Sequence, residues 1–271
     1  MRRYTRLLLV PVFVLAPALP SLAQDDDAVL QPSQPDFTLL ALPTTLRLPQ
    51  FKGAFRVTHR FARPLGEGDF GDLAADLFGL DGGAIVGLEY RFGIVPNGQV
   101  GVHRSADGKT VEFFGNYAVA RQGRTLPMDL TAWASIDGTN NFRDSYSPAL
   151  GVILGRQLAD TAAVYVQPMW VNNSNPRPGS LVDDNDTFQV GVGGRLRVRP
   201  TVYLVGEIAP RAAGFKPGVM HAAFGVEKRA GGHMFQLTVA NSWATTMGQI
   251  ARGGPGDDNW FLGFNLSRKF F

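Results

Sequence analysis

Ile85-Val86-Gly87-Leu88-Glu89-Tyr90-Arg91-Phe92-Gly93, the turn Ile94-Val95-Pro96-Asn97-Gly98, and Gln99-Val100-Gly101-Val102-His103-Arg104-Ser105 decide how this chain folds. In the first run Val86, Leu88, Tyr90 and Phe92 alternate with Gly87, Glu89 and Arg91. That period of two is the mark of a β-strand whose faces meet different surroundings. The turn carries Pro, Asn and Gly, residues suited to reversing the chain. In the second run Gly101 and His103 fall on the same side as the charged residues of the first.

The same texture recurs in twelve segments, about residues 51–61, 85–93, 99–105, 110–121, 128–136, 148–158, 161–171, 187–199, 202–210, 219–229, 233–242 and 259–271. Most reach the roughly 9–11 residues that a tilted membrane-crossing strand needs. Connections after the even-numbered segments are short, such as Ala159-Asp160, Pro200-Thr201 and Ala230-Gly231-Gly232. Those after the odd-numbered ones are mostly longer, notably 62–84, 172–186 and 243–258. Short periplasmic turns alternating with longer extracellular loops, on an even strand count, predict an all-β fold: an antiparallel up-and-down transmembrane barrel spanning 51–271. Pro168 interrupts the seventh segment, so a bulge or a shortened strand is expected there.

Ahead of the barrel lie two further stretches. Arg2, Arg3 and Arg6 precede the apolar run Leu7 to Pro20, and Ser21-Leu22-Ala23 offers a small-x-small cleavage site. Residues 1–23 therefore read as a secretory signal peptide, which places the chain in the outer membrane of a Gram-negative-type bacterium. Residues 24–50, with Pro32, Pro35, Pro43 and Pro49, read as an extended lead segment, periplasmic or lodged in the lumen. The formal charge of +3 comes from 26 bases and 23 acids. Loss of the signal removes three of those bases and no acid, leaving a formally neutral chain with no electrostatic case for binding nucleic acid.

The two faces of the strands differ in charge. Outward phases such as Leu150/Val152/Leu154, Met220/Ala222/Phe224/Val226 and Phe235/Leu237/Val239 contain no acidic residue. Their basic exceptions, Arg104, Arg121, Arg156, Lys228 and Arg268, all fall at strand ends, where a cation costs about 0–1 kcal/mol rather than the ~2–4 kcal/mol of the bilayer midplane. The inward phase holds Arg56, Arg60, Arg91, Arg195, Arg197, Lys52, Arg199 and Lys269 against Glu89, Glu112, Asp129, Glu207 and Glu227, with His103 and His221 and many glycines. A lumen crossed by Arg–carboxylate pairs can be plugged or can select anions, and the plugged or constricted form is the reading preferred here.

Chemistry motifs are sparse. With no cysteine there is no disulfide, thiolate metal site or cysteine nucleophile, and no P-loop, G-x-S-x-G or H-E-x-x-H is present. No cofactor and no metal site is expected. Gly66 to Gly71 reads as a plain loop, and Asp183-Asp184-Asn185-Asp186 and Asp257-Asp258 as solvated acidic loops rather than calcium sites. Of His59, His103, His221 and His233, His59 lies outward near the outer rim, where Ser242 is a serine the topology can bring close. That pair would suit a hydrolase of outer-leaflet lipid, but structural hydrogen bonding is the preferred account of all four histidines.

Thr58-His59-Arg60-Phe61, Asp76-Leu77-Phe78-Gly79-Leu80-Asp81, Gly87-Leu88-Glu89-Tyr90, Val190-Gly191-Val192-Gly193-Gly194-Arg195, Gly232-His233-Met234-Phe235-Gln236-Leu237 and Gly263-Phe264-Asn265-Leu266-Ser267-Arg268 carry a further signal. Together they resemble a bacterial family of membrane-bound β-barrels classed as a domain of unknown function. The resemblance implies a barrel, and it brings neither a substrate nor a catalytic residue. The lipid-facing series Leu262, Phe264, Leu266 leads to Phe270, the terminal aromatic that barrel-assembly machinery reads, with Phe271 out of phase. The expected role is non-enzymatic: a narrow pore or binding barrel for small solutes, anionic ones included. Its alternatives are a structural barrel that acts through its extracellular loops and the lipid hydrolase.

Overall fold

The alternation becomes strands almost residue for residue. A computed structural model describes residues 32–123, 126–175, 185–256 and 259–271. In chain order the strands are β1 (Gly53–Pro64), β2 (Ala84–Val95), β3 (Gly98–Ser105), β4 (Val111–Ala120), β5 (Asp129–Gly138), β6 (Asp144–Leu158) and β7 (Ala162–Val171). Then follow β8 (Thr187–Arg199), β9 (Val202–Ala209), β10 (Arg211–Gly214), β11 (His221–Ala230), β12 (His233–Ala240) and β13 (Phe261–Phe270). Each pairs antiparallel with its neighbour, β1 pairs with β13, and β8 pairs with β9, so the sheet closes. The short β10 continues the path of β9 beside β8 beyond Pro210, with a register shift between Arg211 and Ala213. The barrel thus has twelve staves and one extra strand segment.

Closure leaves no edge, which is what a membrane demands of a β-structure. No helix among the described residues is long and apolar enough to cross a membrane. The outward residues stand bare: Leu237, Leu150 and Phe224 are each more than half exposed, as expected where lipid covers them. Arg268 lies at the end of β13 with its guanidinium 5.7 Å from the Phe270 ring.

Three local expectations change. Pro168 produces neither a bulge nor a short strand. β7 runs through it, pairs Pro168 with Val190 on one side, and keeps one register with β6 from Gly151↔Met169 to Leu154↔Val166. The missing donor is absorbed as a gap in that ladder. The stretch from Gly66 is not a plain loop either, since Asp69 caps a six-residue helix, Phe70–Ala75, in a reciprocal capping box with Asp72. The connection between β5 and β6 is only five residues, because β5 runs on to Gly138 and β6 already starts at Asp144. Residues 1–31, on which the signal-peptide expectation falls, and Asp183, Asp184, Asp257 and Asp258 lie outside the described residues.

Candidate functional site in the filled lumen and at its outer mouth

Lumen-facing glycines leave a space inside the barrel, and the chain fills it with its own lead segment. Thr38 and Pro43 form a bridge, Leu39 N–H donates to Leu42 O at 2.8 Å, and Thr44 N–H donates to Phe37 O at 2.8 Å. This makes a tight hairpin inside the barrel. Leu39 and Leu42 occupy the space beside Gly193 and Gly191, where a Cβ on either glycine would meet a leucine methyl at 2.5 and 3.1 Å. Around the tip pack the wall residues Ile153, Tyr165, Met169, Tyr203 and Val205. Lower down, Phe37, Leu46 and Leu48 pack with Ala54 and the terminal Phe271. Phe271, out of phase for lipid, thus serves the plug.

The hairpin's main chain finds its partners on the wall. Glu207 accepts the N–H groups of Leu40 (2.9 Å), Ala41 (2.7 Å) and Leu42 (3.1 Å). Arg56 donates to Leu40 O at 2.5 Å, Arg195 to Thr38 O at 2.8 Å, Gln236 to Leu39 O at 2.7 Å and Gln167 to Pro43 O at 2.7 Å. Asp36, at the hairpin's base, accepts from Ser267 and lies 3.6 Å from Lys269. Buried backbone groups must be paired, and here the wall pairs them.

A second element enters from the outer end. Thr246 caps a helix, Met247–Arg252, in a capping box with Gln249. Met247 N–H donates to Glu112 at 3.0 Å, and the Thr246 hydroxyl donates to Asp137 at 2.5 Å. Thr245 bonds His103 at 2.9 Å, while Arg252 reaches Ser174 O and the Ser147 hydroxyl. Where the helix meets the hairpin, between Ala41 and Ile250, the residual void is about 10 Å³. That is about the volume of one water-sized probe.

The residues expected to line the lumen take distinct places. Arg91 and Glu89 pair at 2.5 Å with His103 3.4 Å from the same carboxylate, and Arg195 grips Glu227 through two nitrogens at 2.5 and 2.8 Å. Arg60 is buried and donates to Asn265 at 2.7 Å and to the His59 carbonyl. Arg56, Glu112, Glu207 and His221 hold the two plugs or their neighbours. Arg197 is half-exposed and donates to Pro200 O, and Lys52 and Arg199 are exposed, so these three sit at the periplasmic rim rather than within the lumen. The sequence reading did not single out Asp36, Gln167, Gln236, Asn265, Ser267 or Asp137. Their inward phase could have found all but Asp36, but polar side chains at inward positions give no sign that their partner is a main chain.

Two vestibules flank the plugs. On the periplasmic side a polar cavity of about 440 Å³ is lined by Arg47, Asn97, Arg121, Gln122, Asp129 and Gln157. At the outer mouth a cavity of about 520 Å³ lies among the loops, with Phe215, Pro217, Ser242, Trp243, Gln249 and Arg252 in its lining. Asp107 also lines it; burial pushes its carboxyl above the ordinary range, and Arg252 opposes that shift. An apolar groove of about 660 Å³ on the lipid face, past Val100, Gly115 and Ala134, belongs to the bilayer surface.

Ser242 has a partner the sequence reading did not assign. Its hydroxyl lies 2.9 Å from His221 Nδ1, and His221 Nε2 lies 3.0 Å from Glu207 Oε1. His59 instead stacks on Phe264 at 4.6 Å on the lipid face, so the pairing of Ser242 with His59 is corrected to one with His221.

Comparison with known proteins agrees with this architecture. Residues 37–270 match a family described as a membrane bound beta barrel domain, DUF5777. The structure of the NanC porin aligns over 81% of this chain and 99% of its own, at 7% identity and a TM-score of 0.50. A triple mutant of the Rhodopseudomonas blastica porin aligns over 69% of this chain at 10% identity and a TM-score of 0.35. The matched region spans 55% of that porin's length, about half. No curated protein matches in sequence. Likeness at 7% identity concerns the fold alone, a porin-like closed barrel, while the family match puts that barrel in a membrane. The chain belongs to the DUF5777 family of membrane-bound β-barrel domains.

Proposed function

We propose that this barrel is a gated conduit for small solutes that rests closed, with the lead-segment hairpin as its gate. One observation carries the reading: the lumen wall binds the hairpin through main-chain groups, at Glu207, Arg56, Arg195, Gln167 and Gln236. Such contacts can be exchanged for water as a set when the hairpin leaves. The hairpin joins β1 through residues 45–52, none of which belongs to a strand, so it can withdraw toward the periplasm without unzipping one. Arg56 and Arg60, both buried and both without a carboxylate in ion-pair range among the described residues, would then favour anions along the opened path.

Planar-bilayer recording tests this. The full chain should give no discrete conductance at low voltage, and deletion of residues 36–45 together with a shortened 244–252 loop should give one. Reversal potentials should show anion preference that falls on changing Arg56→Gln and Arg60→Gln. A folded, heat-modifiable deletion barrel that stays electrically silent would end the proposal, as would a wild-type barrel that conducts constitutively.

A further inference from the structure

Ser242, His221 and Glu207 form one line of hydrogen bonds that runs from the outer cavity into the wall. The direction of each bond follows from chemistry. Glu207 accepts three main-chain N–H groups of the hairpin, an arrangement for a carboxylate, which can only accept. His221 must therefore donate through Nε2, which leaves Nδ1 as a lone pair, and the Ser242 hydroxyl donates to it. The base touches the nucleophile, and a buried acid fixes the tautomer of the base. Either imidazole nitrogen can face the serine, since a neutral ring offers one donor and one acceptor.

Depth is ordered as well. Ser242 lines the cavity, His221 is almost wholly buried, and Glu207 lies against the hairpin tip. The Ala244 N–H reaches the Ser242 oxygen at 3.4 Å, placing one main-chain donor beside the atom that would attack. The cavity, at about 520 Å³, has the size of a small-molecule site. Trp243, Phe215, Pro217 and Pro255 give it apolar walls, and Arg252 and Asp107 give it a polar part.

We propose that Ser242 is the nucleophile of an ester-hydrolysing site at the outer mouth, with His221 as general base and Glu207 as the positioning acid, acting on carboxylic esters whose acyl group fits the apolar walls. Ser242 Oγ bonds to the acyl carbon as its proton passes to His221 Nδ1. The carbon–oxygen bond to the alcohol then breaks, and the alcohol oxygen takes that proton. Water repeats the sequence: its oxygen bonds to the acyl carbon as its proton passes to Nδ1, the bond from the acyl carbon to Ser242 Oγ then breaks, Oγ takes that proton, and the carboxylic acid leaves. The cavity lies outside the hairpin, but Glu207 is shared between the two, so withdrawal of the hairpin would free three of its hydrogen bonds while leaving the one to His221.

The test uses the full chain folded in detergent, with heat-modifiable migration to report folding, and a fluorophosphonate that modifies activated serines. Peptide mass analysis should place one adduct on Ser242, absent in Ser242→Ala. Modification should be about 10²-fold or more faster in the folded barrel than at the same serine in urea-unfolded chain, the scale of a general-base contribution. A folded His221→Gln barrel should lose that advantage, and p-nitrophenyl butyrate hydrolysis should follow the labelling. A folded wild-type barrel with no adduct on Ser242, or one labelled no faster than the unfolded chain, overturns the proposal and leaves these bonds a purely structural role.

Discussion

The two elements that close the lumen are held in different ways. The periplasmic hairpin is gripped through its main chain, by carboxylate, guanidinium and amide groups from β1, β7, β8, β9, β12 and β13, and its leucines fill space beside glycines. The outer helix is held at both ends, with Thr246 and Met247 engaging Asp137 and Glu112 and Arg252 reaching Ser174 and Ser147, and it is held mostly through side chains. The hairpin is therefore set by the wall's polar pattern and would accept many side chains at positions that face no glycine. The helix instead relies on particular side chains, those of Thr246, Gln249 and Arg252, so single substitutions there should loosen it.

Substitutions can break or sharpen this contrast. Arg195→Met should have the largest effect, because it leaves Glu227 buried without its bidentate partner and frees Thr38 O, costing about 3–5 kcal/mol. Urea titration in vesicles measures the loss, and new proteolysis within residues 36–45 shows that it falls on the hairpin. Gly193→Val should cost about 1–3 kcal/mol by driving a side chain into Leu39. Adding Leu39→Ala should recover part of that cost; additive losses in the double mutant would mean the two sites do not touch in solution. Thr246→Ala should cost about 1 kcal/mol, removing the cap and the Asp137 bond, and should raise exchange at amides 246–252 while those at 38–44 stay protected. Arg63→Gln, in the half-buried surface pair with Asp76 at 3.0 Å, should change stability by about 1 kcal/mol or less and leave both plugs in place.

The barrel was legible because its determinant is local. Val86, Leu88, Tyr90 and Phe92 alternate with Gly87, Glu89 and Arg91 in one line of text, and the alternation needs no partner to be read. The plug was not, although a lumen-lodged lead segment was one of two expectations for residues 24–50. Leu39-Leu40-Ala41-Leu42 has no period, and apart from Arg56 its wall partners are far off, 165 residues away at Glu207 and 225 at Asn265. The same distance hid the link between Ser242 and His221, since β11 and β12 each read correctly as strands without revealing which loop residue folds back over them. The lumen glycines were read as room for long side chains. The room exists, but leucines of the lead segment take it.

The terminal pairing of β1 with β13 has a consequence for how the protein is made. Asp36 bonds Ser267 and Leu40 bonds Asn265, so the earliest described residues are completed by the last stave. A barrel that had already closed would have to admit its hairpin through the periplasmic mouth, past Phe271. A chain that keeps the hairpin in place while the staves assemble around it closes its wall and seats its hairpin in one event. Contacts of such sequence separation form late and slowly. On that route the last stave both shuts the tube and locks its filling, so the two cannot be separated in time.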